Sequence, residues 1–193
     1  MISNMAHFQV SLVHWLANAA PPIAEFMRSK WGWPMAESIH FLGLSMLVGC
    51  IGLFDLRLLG MAKRIPIAAL HKLIPWGLLG FAINITSGSL FLLTEPDQYI
   101  YNPSFQFKVL FILLAGANAL TFYITTYRRA TAPEASADAP RTAKVVAVVS
   151  LSLWIGVIVC GRLLTFFRPG DCPAEGPGVI ADCTPRSAAN TTH

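Results

Sequence analysis

A chain of 193 residues that is 54% hydrophobic and 12% charged, with a mean hydropathy of +0.56, is too apolar for a water-soluble domain and belongs in a bilayer. Its formal charge of +4 is divided among short connections rather than gathered on one face. That distribution suits anionic lipid and argues against nucleic acid as a partner.

Residues 1–34 read as an amphipathic surface segment. Phe8, Leu12, Trp15, Leu16 and Ala19 fall on one helical face, while His7, Ser11, His14 and Asn18 form a polar stripe. No cleavable signal peptide is expected, because residues 1–20 lack a basic stretch and their apolar positions are patterned rather than continuous. Pro21 and Pro22 interrupt the helix, the run IAEFMRSK follows, and Trp31 and Trp33 suit the headgroup layer.

Residues 35–168 hold the membrane part. The stretches 38–54, 73–94, 109–127 and 145–161 contain no Asp, Glu, Lys or Arg, and a spanning helix needs about 20 mostly apolar residues. Small residues recur in them at four-residue spacing: Ser45 and Gly49, Gly80 and Gly88 around Asn84, Ala115 and Ala119, then Ser152, Gly156 and Cys160. Such spacing lets helix backbones approach closely in lipid. The fold class that follows is all-α: an integral membrane four-helix bundle with an N-terminal amphipathic interfacial helix. Its short loops predict that sequential spans are neighbours.

Polar residues calibrate depth in the first span. Pro34 and Glu37 suit its first turn, where a helix N-terminus favours a carboxylate. At about 1.5 Å per residue, His40 lies only about 9 Å beyond Pro34, and Asp55 is about 22 Å farther inward. Asp55 and Arg57 therefore read as inner-boundary groups on different sides of the helix, with Asp55 directed to Lys72 or Tyr123. Asn84 and Asn118 lie deep in spans two and three, where interhelical hydrogen bonds are expected. Arg162, near the outer end of span four, either pairs with Glu37, snorkels to the headgroups, or holds an anionic ligand.

His40 raises the question of a cofactor. A b-type haem needs two ligands at one depth; His71 lies at the opposite boundary, so His14, His7 or Met35 would have to supply the second. Glu37 and His40 also form one E-x-x-H pair, but helical di-iron sites use two such pairs and two further glutamates. No metal site is expected, and no nucleophile with an adjacent base or phosphate-binding loop marks an enzyme. Cys172 and Cys183 lie in the external tail, residues 169–193, and are candidates for a disulfide, whereas Cys50 and Cys160 fall inside spans.

The runs ESIHFLGLSMLVGCIGLFDLRLLG, IPWGLLGFAINITSG, FQFKVLFILLAGANA and SLSLWIGVIVCGR together resemble a family of small bacterial four-helix inner-membrane proteins of unknown function. The resemblance covers residues 35–168 and implies an inner-membrane bundle without implying an activity. Two main functions stay open, beside a third, a channel, transporter or integral-membrane enzyme. One is a non-catalytic subunit or scaffold of a larger membrane assembly. The other is an electron-transfer subunit that binds haem b or a quinone on its outer side through His40 and Arg162, with His14 nearby.

Orientation follows from the connections. Lys63, Arg64 and Lys72 follow span one, and Arg128, Arg129, Arg141 and Lys144 follow span three, whereas the connection between spans two and three carries Glu95, Asp97 and Lys108. Basic loops stay in the cytoplasm, which predicts a multi-pass inner-membrane protein with both termini in the periplasm. Alkaline phosphatase fused after His193 should therefore be active in a bacterial host, and inactive when fused after Arg129. The opposite pattern would invert the assigned topology.

Overall fold

The computed structural model describes residues 2–61, 63–125, 127 and 139–166, and these are all-helical apart from turns and short connections. The elements are α1 (Ile2–Ala19), α2 (Pro21–Arg28), α3 (Gly32–Leu58), α4 (Ile67–His71), α5 (Ile74–Thr94), α6 (Pro96–Ile100), α7 (Pro103–Thr125) and α8 (Arg141–Leu163). Four stretches are long and apolar enough to cross a membrane: Gly32–Leu58, Ala69–Thr94, Pro103–Thr125 and Arg141–Leu163. The protein is an integral membrane protein. Cys172 and Cys183, with the tail that carries them, lie outside the described residues; Cys50 and Cys160 are free thiols.

Lipid removes the hydrophobic drive between helices, so close packing has to hold them together. At the α3–α5 crossing a Cβ on Gly80 would lie 2.6 Å from the Gly43 carbonyl oxygen, and a Cβ on Gly43 would lie 2.8 Å from Asn84 Nδ2. Two backbones therefore touch where both residues lack a side chain. Gly49, singled out by spacing, has open space around it instead, and Gly43 takes its expected place. On α8, Gly156 accommodates the ring of Phe111, whose Cδ2 would lie 2.8 Å from a Cβ there.

Buried positions on α3 include Ala36, Gly43, Leu47, Phe54 and Leu58, alternating steps of seven and four. These steps keep the five residues on one face of the helix, which is the face packed against the rest of the bundle. The bundle consists of two antiparallel hairpins, α3 with α5 and α7 with α8, joined through α3 against α8. The expectation that sequential spans are neighbours holds within each hairpin and fails between them: α5 and α7 do not pack closely against each other. The short α6 and the following turn separate them.

Both ends are tied by polar contacts. We call the end bearing α1 and α2 outer and the end bearing α4 inner. At the outer end Asn102, 1% exposed, caps α7: its Oδ1 accepts from Ser104 N at 2.9 Å, with Pro103 as the first helical residue. Its Nδ2 donates to Leu164 O at 3.2 Å, joining the start of α7 to the end of α8. Arg28 of α2 donates to Thr94 O at 2.9 Å and meets Glu95 at 3.4 Å, placing a cation at the C-terminal end of α5. The N-terminal segment is thus docked on its own bundle, with α1 against α5 and α6. Val13 and Leu16 turn inward, while Phe8 and Trp15 are exposed.

At the inner end α3 closes in a Schellman motif. Gly60 has φ 100°, its N–H donates to Arg57 O at 3.1 Å, and Met61 N donates to Leu56 O at 3.0 Å. Arg57, 3% exposed, gives Nε to Ile65 O at 2.6 Å and Nη2 to Lys63 O at 3.3 Å, so it organises the connection to α4. Gly80→Val forces the α3–α5 backbones apart and should destabilise the bundle by about 1–3 kcal/mol. Gly49→Val, where space is open, should change stability much less. Unfolding of both variants in SDS titrations checks the contrast, and equal losses would show that the crossing does not hold the hairpin.

Candidate functional site

The separation of α5 from α7 leaves a cavity of about 330 Å³ in the inner half of the bundle. Its walls run from Leu58 and Ile74 at the inner end to Leu47, Phe81 and Trp154 nearer the middle. Along α3, the rise from Leu47 to Leu58 is about 16 Å. The Phe81 and Trp154 rings, 6.4 Å apart and edge to face, close the outer end. The Phe54–Phe122 pair, 5.6 Å apart, stands at the inner end. Between α5 and α7 the lining residues Leu78, Gly116 and Ala119 are exposed, so the cavity opens sideways toward the lipid.

One carboxyl group lines this apolar space. Asp55 is 5% exposed and has Ser150 of α8 as its hydroxyl neighbour, while its Oδ2 is buried without a hydrogen-bond partner. The sequence places Asp55 at the inner boundary directed to Lys72 or Tyr123, and in the structure it lines the same cavity as Tyr123. The residue sits one turn before the end of α3, but its side chain turns between helices, because Phe54 and Leu58 beside it are drawn into the core. A buried polar atom without a partner costs about 1–3 kcal/mol, more for a charge.

The other polar groups around the cavity are engaged. Asn118 donates to Val146 O at 3.0 Å, an α7–α8 bond of the kind expected for it. Asn84, on one helical face with Gly77 but farther from the inner end, bonds within its own helix, to Gly80 O at 3.0 Å. Tyr123 and His71 share a 3.3 Å contact between the hydroxyl and Nε2, within an aromatic cluster that includes Tyr127 and Phe122.

The outer half holds a second polar layer. His40 Nδ1 and Ser87 Oγ are 2.8 Å apart. The Ser87 hydroxyl donates to Ile83 O at 2.7 Å, so its lone pair accepts from His40 Nδ1–H and leaves the ring's lone pair on Nε2. Phe91 meets the ring edge on at 5.8 Å, and Gly88 lies beneath it. Lys108 belongs to this layer. The sequence assigns it to a connection, but it lies within α7, with Nζ 3.8 Å from where a Cβ on Gly161 would be.

The remaining residues weighed for a cofactor are apart from these contacts. Arg162 is exposed and lies over the Phe166 ring at 5.9 Å. Glu37 is exposed in the second turn of α3, which begins at Gly32, and no ion pair joins it to Arg162. His14 is exposed on α1, where its carbonyl accepts from Asn18. Among the described residues no group of three or more His, Cys, Asp or Glu is placed to hold a metal ion.

Phe81, Ser150 and Trp154 are absent from the sequence-level selection because serine and aromatic residues in an apolar span carry no distinguishing signal. Asn102 was legible, since Asn-Pro is a capping pair at a helix start. Asp55→Asn keeps the size of the side chain and removes the charge, so it should stabilise the unliganded protein by about 1 kcal/mol or more. A higher SDS unfolding midpoint checks this, and a lowered midpoint would make Asp55 a structural requirement.

Residues 32–167 match the model of a family described as a family of unknown function, DUF6644. No curated protein and no solved structure matches the chain. The match extends over the four spans, the polar layer at His40 and the cavity at Asp55, and the chain belongs to this family.

Proposed function

We propose that this chain is a non-catalytic integral membrane protein that holds a lipid-soluble small molecule in the inner half of its bundle, as a binding subunit of a larger membrane assembly. In this reading it sits in a bacterial inner membrane with α1 and α2 on the periplasmic side. The observation that carries the reading is the cavity of about 330 Å³ with the buried Asp55 carboxyl in its wall. Ligand sites are commonly concave and mostly apolar, with few polar groups, and lie between the helices of bundles. A lateral mouth between α5 and α7 suits a molecule that arrives through the bilayer.

Binding rather than turnover is favoured because the polar groups near Asp55 are already committed. Asn118 serves Val146, Tyr123 meets His71, and Ser150 faces Asp55 itself. A Cβ at Gly116 meets no atom within 4 Å, so Gly116→Phe extends into open space without displacing packing. Native mass spectrometry of the protein released from nanodiscs should show a small apolar molecule retained by the wild type and lost from Gly116→Phe. Identical spectra for the two proteins would contradict the reading.

A further inference from the structure

The cavity has a chemical bias that narrows its occupant. Among the described residues its lining includes one acid, Asp55, and no Lys, Arg or His. An anionic amphiphile, such as a fatty acid or a porphyrin with propionates, would meet a carboxyl group and no cation there. A molecule that offers only acceptors, such as a quinone, would look for donors. The Asn118 amide gives one N–H to Val146 O and the Tyr123 hydroxyl meets His71, and a quinone taking any remaining donor would still leave Asp55 Oδ2 without one.

What the cavity lacks is a donor for Asp55 Oδ2. A protonated amine supplies both that donor and the counter-charge, as a charge-assisted hydrogen bond. The aromatic rings of Phe81, Phe122 and Trp154 line the same space and suit the apolar body of such a ligand. At roughly 30 Å³ for each water-sized group, the cavity holds about ten such groups.

Resting on the reading of the cavity as a ligand site, we propose that it binds lipophilic ammonium compounds: a compact apolar body bearing one protonated amine, with Asp55 as counter-ion. The ligand enters from the lipid between α5 and α7, past Leu78 and Ala119. Its apolar body lies against Phe81 and Trp154, and its ammonium group turns toward α3.

Three probes of one shape test the assignment: 1-aminoadamantane, 1-adamantanol and 1-adamantanecarboxylate. Their binding to the purified full chain in detergent micelles is measured by equilibrium dialysis. The amine should bind at least tenfold more tightly than the alcohol, and the carboxylate most weakly. In Asp55→Asn the amine should lose its advantage over the alcohol, and in Gly116→Phe all saturable binding should disappear. Equal binding of amine and alcohol, or an amine preference that survives Asp55→Asn, overturns the ammonium assignment while leaving the cavity a ligand site. Absence of saturable binding by all three probes overturns both. Should Asp55→Asn fail to fold, the ranking on the wild type alone decides the charge preference.

Discussion

Helices in lipid gain nothing from simply hiding apolar surface, so this bundle depends on the few places where backbones come together without side chains between them. The contact of Gly43 with Gly80 does this between two spans, bringing a backbone carbonyl to 2.6 Å from where a Cβ would stand. It fixes α3 against α5. The α7–α8 hairpin is held differently, by Phe111 over Gly156 and by the Asn118 amide on Val146. The two hairpins then meet through α3 and α8, and the flanking helices α5 and α7 are left apart. The cavity follows from that arrangement.

Its setting explains why Asp55 stands out. Arg57 two residues later is also buried, and its Nε and Nη2 order the α3–α4 connection through the carbonyls of Ile65 and Lys63. Asn102, almost fully buried, likewise joins helix ends, and the Thr94 hydroxyl donates to Leu90 O in its own helix. Asp55 bears a polar oxygen that no such contact uses, in a wall that is otherwise apolar or engaged. A residue that costs stability in the empty bundle is readily understood as one whose partner comes from outside the chain.

Much of the architecture was legible in the sequence. Four stretches free of charge give four spans, and the small residues Gly80 and Gly156 mark real contacts. The facing of each helix was harder to read, because in a bilayer both the lipid side and the packed side are apolar and hydropathy loses its period. Gly49 and Gly43 are equivalent by residue type, and only the three-dimensional register selects Gly43. The facing of Asp55 is hard to read for a related reason. Depth along a helix follows from counting residues, whereas the direction of a side chain near the helix end depends on its neighbours Phe54 and Leu58. Lys108 reads as a loop residue in the sequence because the preceding NPSF signals a helix start only with Asn102 as the cap.

The central claim is that the inner half of the bundle holds a defined apolar cavity reachable from the bilayer. Trp154 stands in its wall and can report on it once Trp15, Trp31, Trp33 and Trp76 are changed to Phe. Titration of this single-tryptophan protein with the neutral quencher 1-bromoadamantane is the most direct measurement. The account predicts saturable quenching of Trp154 that Gly116→Phe removes. Quenching that rises linearly with quencher and is unchanged by Gly116→Phe would contradict it.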